Sequence, residues 1–176
     1  MRVISGSAKG HNLFALDGTS TRPTTDRVKE ALFSAIQFQL SDAYVLDLFA
    51  GSGALGIEAL SRGARFCDFI ELNSSAYQVI LKNLHKTKLS HIAKVHNTSA
   101  FDFLRNVNQR YDIVFLDPPY NNKLCDAAME LISEYNLLND GGFIVTETSS
   151  EEEIVCSFNV RKQYVYGKIK ITVWVI

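Results

Sequence analysis

The sequence predicts a three-layer α/β sandwich built on a mostly parallel sheet. From Tyr44 onward, apolar runs of strand length alternate with segments of helical periodicity, as they do in repeated βα units. Such units connect parallel strands, so the first five strands are expected to share one direction. The last two apolar runs turn at Gly167 with no helix between them, which predicts an antiparallel hairpin at the edge of the sheet.

A single domain is expected for a chain of 176 residues. Residues 1–43 are predicted to form an N-terminal extension, with a small hairpin or extended arm and then a helix capped by Thr25 or Asp26. Residues 44–176 are predicted to form the core. Its elements are expected to be strand 44–49, helix 54–62, strand 65–71, helix 74–88, strand 93–96, helix 101–107, strand 112–116, helix 122–135, strand 143–147 and the β-rich segments 154–166 and 168–176.

The cysteine spacing, hydropathy and charge of the chain argue against several classes of protein. The three cysteines, Cys67, Cys125 and Cys156, are far apart, so neither a zinc site nor a disulfide framework is expected. The sequence shows no signal peptide and no membrane-spanning run, which predicts a cytoplasmic protein, and a monomer is the default expectation. The formal net charge of -1 does not indicate a nucleic-acid binder, but both ends of the chain are locally basic.

A glycine loop follows the first predicted core strand. Asp47 ends that strand, and Gly51 and Gly53 come directly before a helix, where glycines permit a tight turn and close approach to a ligand. Glu71 ends the next strand, about twenty residues on, where an acid can bind both hydroxyls of a ribose. This spacing fits NAD or S-adenosylmethionine. Asp47 favours the second, because a carboxylate would repel a pyrophosphate and suits a cationic amino-acid tail.

The sequence Asp117-Pro118-Pro119-Tyr120 follows the predicted strand 112–116 and carries the chemistry of the chain. It lies at a strand's carboxyl end, the edge where open α/β sheets bind ligands. The Asp117 carboxylate and the Pro118 carbonyl can accept the two hydrogens of a planar amino group, while Tyr120 stacks on the ring that bears it. Each proline disfavours helical geometry in the residue before it, so the loop is rigid and extended. These features predict methylation of the exocyclic amine of an unpaired or flipped nucleobase.

Three blocks of sequence, 22–33, 47–64 and 116–120, carry a resemblance that spans nearly the whole chain. With them, the chain resembles the bacterial 16S rRNA guanine-N2 methyltransferases, the RsmD family of class I S-adenosylmethionine-dependent methyltransferases. The resemblance implies a Rossmann-like fold, no metal, and transfer of methyl to a guanine N2 amine with S-adenosylhomocysteine as product. It also implies that the substrate is 16S rRNA within a small-subunit assembly intermediate.

The family pattern assigns roles to residues of this chain. The catalytic group would be Asp117, Pro118, Pro119 and Tyr120. The cofactor-binding residues would be Asp47, Phe49, Ala50, Gly51, Ser52, Gly53, Leu55, Glu71, Leu72, Ser99, Ala100 and Asp117. The residues that contact RNA would be Arg22, Thr24, Thr25, Arg27 and Lys29.

Two positions depart from the family pattern. The N-terminal arm is less rich in arginine and lysine than is usual, which implies weaker RNA contacts there or contacts made elsewhere. Ser99 stands where the family usually has an aspartate for the adenine amino group. Three other classes of protein share parts of this pattern. They are an amino methyltransferase of the same fold acting on DNA adenine or another RNA guanine, a nicotinamide-dependent oxidoreductase, and a non-enzymatic RNA-binding module.

Overall fold

The computed structural model describes residues 1–16, 26–119 and 123–176. The part before the sheet consists of an N-terminal arm, residues 1–16, and one helix. In the arm, Arg2 and Asn12 form an antiparallel bridge, so the predicted hairpin is present in short form. The helices and strands are α1 (Asp26–Ala35), β1 (Tyr44–Asp47), α2 (Ala54–Ser61), β2 (Phe66–Ile70), α3 (Ser74–Thr87), β3 (Ala93–His96), α4 (Ala100–Asn106), β4 (Tyr111–Leu116), α5 (Leu124–Glu134), β5 (Leu138–Ser149), β6 (Asn159–Tyr166) and β7 (Ile169–Val175).

The seven strands form one sheet in the order β3-β2-β1-β4-β5-β7-β6. Strands β1 to β5 pair in parallel, and β7 pairs antiparallel with both β5 and β6. This arrangement confirms the predicted fold class and the antiparallel hairpin. Because β1, β2, β4 and β5 run in one direction, their carboxyl ends meet at one edge of the sheet, called here the catalytic edge.

Helices cover both faces of the sheet. On one face, the apolar sides of α1, α2 and α3 pack on β-strand residues such as Phe115 and Val145. On the other face, α4 and α5 pack on residues such as Val114 and Ile144. Alternate residues of each strand therefore enter different cores, as the period of a strand requires. None of the helices in the described parts of the chain is long and apolar enough to cross a membrane.

The first residues of two strands, β5 and β6, differ most from the prediction. β5 begins at Leu138 rather than at residue 143, because Leu138 pairs with Tyr111 ahead of an irregularity in the ladder. The Asn139 amide donates to the Asp112 carboxylate at 2.8 Å and holds this early segment in place. β6 begins at Asn159, so the polar and apolar mixture before it is not strand.

Candidate active site

Carboxylates gather at the catalytic edge of the sheet. Asp47 is the last residue of β1, Asp117 follows β4, and Glu71 follows β2 by one residue. Because these strands are neighbours in the order β2-β1-β4, the three acids belong to one stretch of the edge. The predicted cofactor and catalytic segments are therefore adjacent.

The glycine loop is built around Asp47 and Glu71. The Asp47 Oδ2 atom accepts from the Gly56 amide at 2.9 Å, in the first turn of α2, and the Glu71 Oε2 atom accepts from the Gly51 amide at 2.8 Å. Gly53, with φ of 79°, turns the chain into α2 in the left-handed region. A Cβ atom on Gly56 would lie 2.3 Å from the Phe69 ring, so glycine there lets α2 approach β2 closely.

Other predicted cofactor residues surround this loop. Leu55 and Ala50 are buried beneath it, and Phe49 is half-buried against the core on the α4 side. Leu72, directly after Glu71, leaves 70% of its side chain exposed. An exposed leucine beside the acid that is predicted to bind ribose gives an apolar surface on which an adenine ring can pack.

Burial dominates the electrostatics of Asp47. The residue is 2% exposed, and loss of water raises the pKa of its carboxyl group to about 7, with the Gly56 amide opposing and Glu71 adding to the rise. A carboxyl group held in this state gains from a cationic partner, because a nearby positive charge favours its ionised form. The amino group of S-adenosylmethionine is such a cation, so the donor set fits that cofactor.

Asp117 lies beside two further acids. Burial, then the charge of Glu147 and then that of Asp47, raise the pKa of Asp117 well above its usual range. Pro118 is half-buried and Pro119 is exposed, so the loop presents itself to solvent just after the last residue of β4. Tyr120 lies outside the described residues.

Ser99, the residue predicted to contact adenine, has a structural role at the start of α4. It caps α4, with its Oγ atom accepting from the Asp102 amide at 3.0 Å and donating to the Asp102 carboxylate at 2.7 Å. The hydroxyl thus donates once and accepts once within the helix terminus, and its second lone pair is the one that an adenine amino group could use. Ala100, buried in the first turn of that helix, remains close to the same end of the sheet.

The prediction that Lys29 contacts RNA is corrected by its surroundings. Its side chain is 0% exposed and pairs with Glu58 at 3.1 Å. The Nζ atom also donates to the Arg2 carbonyl, and burial lowers the pKa of the amine. Arg27, two residues earlier, is exposed. Arg22, Thr24 and Thr25 lie outside the described residues.

Two residues of the site were missed by sequence reasoning. Glu147 lies in β5 at the catalytic edge, two residues after Val145, and so faces the same side as Asp47. Asn83 of α3 is fully buried; its amide donates to the Ser52 and Phe14 carbonyls and accepts from the Phe14 amide. A signal existed for both, since an acid ending a predicted strand and an asparagine on an apolar helix face each need a partner.

Comparison with known proteins identifies the class and then the family. The Escherichia coli protein yhhF has a solved structure that matches at a TM-score of 0.87 and 33% identity, covering 99% of this chain and 96% of that chain. The fold is that of the class I methyltransferases.

The family follows from a match over almost the whole sequence. A family model for Conserved hypothetical protein 95 matches residues 1–175. The Ribosomal RNA small subunit methyltransferase D of Haemophilus influenzae is 39% identical over 162 residues, 90% of this chain and 84% of that protein. Its namesake in Escherichia coli K12 is 36% identical over 172 residues, 96% of this chain and 86% of that protein. The chain belongs to this family, the RsmD family of class I methyltransferases.

Proposed function

We propose that this protein transfers a methyl group from S-adenosylmethionine to the exocyclic N2 amine of a guanine in 16S rRNA. The observation that carries the proposal is the Asp117-Pro118-Pro119 sequence at the end of β4, next to the glycine loop at the end of β1. The names of the small-subunit rRNA methyltransferases in its family support the choice of RNA. A small-subunit assembly intermediate is the substrate form proposed, acted on by a monomer.

The residues present fit the cofactor. Asp47 would hold the cationic amino-acid tail, and Glu71 would exchange its bonds to the Gly51 and Asn73 amides for the ribose hydroxyls. Leu72 and Ala100 would contact the adenine ring. When bound, S-adenosylmethionine supplies an electrophilic methyl group on a sulfonium.

Asp117 and Pro118 would prepare the nucleophile. A guanine N2 amine is a weak nucleophile because its lone pair is delocalised into the ring. Two acceptors, the Asp117 carboxylate and the Pro118 carbonyl, would bind its two hydrogens and direct the lone pair toward the methyl carbon. The amine nitrogen would take the methyl group that the cofactor supplies, S-adenosylhomocysteine would leave, and the methylated amine would lose one proton to solvent. The rigid loop holds the geometry, and proximity supplies much of the rate.

RNA contacts are proposed at the start of α1 and before it. Arg22 and Arg27 would bind phosphates, with Thr24 and Thr25 beside them. Lys29 is not proposed to contact RNA, because it forms a buried pair with Glu58. Tyr120 is proposed to stack on the flipped guanine.

The decisive experiment is transfer of labelled methyl from S-adenosylmethionine to small-subunit particles that lack the modification, followed by nucleoside analysis. We expect N2-methylguanosine. Label on DNA adenine or on another RNA, with none on these particles, would contradict the proposed substrate. The protein would then be an amino methyltransferase of the same fold with a different nucleic-acid substrate.

A variant tests the role of Asp117. Asp117→Ala should keep cofactor binding and lower the rate of methyl transfer by about a hundredfold or more, the scale on which positioned acid–base groups act. Asp140→Ala, an exposed acid at the start of β5, is the matched control and should retain activity. Normal turnover in Asp117→Ala would contradict the mechanism.

A further inference from the structure

The outermost strand of the sheet, β6, presents an unusual surface. Among the described strands it pairs with β7 alone, and six of its eight residues are exposed. Its ladder with β7 is irregular between Val160 and Lys162, which leaves Arg161 at a bulge. An edge strand of this length needs a device against unwanted pairing, and charge together with a bulge is such a device.

One lysine and two tyrosines follow one another along one face of β6. Lys162, Tyr164 and Tyr166 pair with Val173, Ile171 and Ile169, which belong to the core on the α1–α3 side. The three side chains therefore lie on that side of the sheet. The rings of Tyr164 and Tyr166 are 6.4 Å apart between centroids and 19° from parallel, so they form one aromatic platform.

The surface is positive. Residues 154–176 contain four basic residues and no acidic one. Lys170 is engaged, since its Nζ atom donates to the Glu152 carbonyl. Arg161 and Lys162 are exposed, and no acid in residues 1–16, 26–119 or 123–176 forms an ion pair with them. The acidic residues 151–153 follow β5 beside the Gly167 turn, which confines the positive surface to the strand.

This surface reaches the catalytic edge. Tyr166 pairs with Ile169, which pairs with Ser149 at the carboxyl end of β5, so Tyr166 lies at the same edge as Asp117. Three strand spacings separate β6 from β4, or about 14 Å.

Helix α1 extends the approach to that edge on the same side. Lys29 meets Glu58 and Phe33 meets Arg62, so α1 runs parallel to α2, which starts at the catalytic edge. The exposed Arg27 is thus near that edge too.

We propose that Lys162, Tyr164 and Tyr166, with Arg161, bind the single-stranded RNA that flanks the target nucleotide. Bases stack on the tyrosine platform and phosphates pair with the two cations, the combination by which proteins hold single strands. The inference rests on the proposed function and adds to it a second RNA-binding surface, away from the reacting base. A second copy of the chain is disfavoured as the occupant, because antiparallel pairing of two β6 strands brings like charges together.

Two variants separate the two kinds of contact. Lys162→Gln removes a phosphate contact, so the affinity for a labelled single-stranded RNA of mixed sequence falls, and the slope of its logarithm against that of salt concentration decreases by about 0.7. Tyr164→Leu removes stacking, so affinity falls about fivefold or more while the salt slope is unchanged. This difference in salt slope is not produced by a loss of stability alone.

Matched controls lie elsewhere on the surface. Lys94→Gln removes an exposed lysine from β3, at the opposite edge of the sheet, and Tyr135→Leu alters an exposed tyrosine after α5. Both should bind the RNA as the unaltered protein does. All variants should bind S-adenosylmethionine normally, and thermal melting confirms that each is folded.

Three outcomes would contradict either the inference about β6 or the proposed function. If Lys162→Gln and Tyr164→Leu bind the RNA oligomer normally, the inference is wrong. It is also wrong if they lose activity on ribonucleoprotein particles but keep it on deproteinised rRNA, since the surface then binds a protein. If the unaltered protein binds RNA through this surface but transfers no methyl to rRNA, the proposed function is wrong, and the assignment of β6 as an RNA-binding surface is retained.

Discussion

At the residue scale, Asp47 combines a structural role with a proposed binding role. Its carboxylate fixes the first turn of α2 through the Gly56 amide, and it does so at 2% exposure. Ionisation is costly there without a cation, which is why the pKa rises to about 7. The group is therefore about half ionised at neutral pH before a cofactor arrives.

This titration predicts a pH-dependent affinity for S-adenosylmethionine. The cationic tail binds the ionised carboxylate, so affinity should rise with pH and level off above about 7. Asp47→Asn keeps an oxygen for the Gly56 amide and should bind the cofactor more weakly, by about tenfold, with no rise across this range. Calorimetric titration at several pH values gives the measurement, and equal curves for the two proteins would exclude the role of Asp47.

At the element scale, buried polar side chains join the N-terminal arm to the core. Glu58 of α2 accepts from the Ile4 and Ser5 amides at 2.8 and 3.0 Å and also pairs with Lys29 and Arg62. A single carboxylate thereby connects the arm, α1 and α2. Removing one member of such a buried cluster leaves charge uncompensated.

Lys29→Met should therefore lower the free energy of unfolding by about 3 kcal/mol. Its exposed neighbour gives the control, since Arg27→Met should change stability by less than about 0.5 kcal/mol and instead weaken RNA binding. Urea unfolding and RNA titration of both variants make the comparison. The opposite pattern, a stable Lys29→Met with poor RNA binding, would restore the original prediction for Lys29.

Asn83 joins the N-terminal arm to the glycine loop. Its amide uses three bonds, two to the Phe14 backbone and one to the Ser52 carbonyl at 2.9 Å. Asn83→Leu leaves those groups unpaired and should cost about 1–3 kcal/mol, with faster hydrogen exchange both near Phe14 and in the glycine loop. Gln78→Leu, an exposed change on the same helix, should affect neither segment. Faster exchange at only one of the two segments would show that Asn83 does not couple them.

Much of this arrangement could be predicted from the order of strands and helices. The acids at strand ends, the glycine loop and the edge hairpin follow from local pattern, because strand direction and period fix where such residues emerge. The buried lysine does not follow from charge, but Lys29 falls on the same helical face as Phe33 and Ile36, which marks it as inward-facing. The capping role of Ser99 was missed, although a serine followed three residues later by an acid is typical of a helix cap.

At the scale of the whole molecule, the carboxylates at the catalytic edge oppose one another. Asp47 and Asp117 both have pKa values raised above those of an unfolded chain. The folded state consequently binds more protons than the unfolded state above the unfolded pKa near 3.8. A group of this kind contributes stability that is complete below the unfolded pKa and is lost as pH rises through the folded pKa.

The ligand-free protein should thus be more stable at pH 5 than at pH 8. Asp47 alone accounts for about 3 kcal/mol of the difference, since between pH 5 and its folded pKa of about 7 each unit corresponds to about 1.4 kcal/mol. Saturating S-adenosylmethionine should reduce the loss, because it binds the ionised form. Urea denaturation at both pH values, with and without cofactor, tests this, and stability that rises with pH would show that the acids are not buried as described.

The insertion of β7 between β5 and β6 has a consequence for folding during translation. β6 leaves the ribosome before β7, which is its only partner among the described strands, and β5 keeps an open edge until Ile169–Val175 have been made. Hydrogen-bonding groups on such an edge can capture foreign strands. A nascent chain stalled after Tyr166 would carry both an unpaired strand and an exposed sheet edge, so the sheet is closed only once β7 has been synthesised.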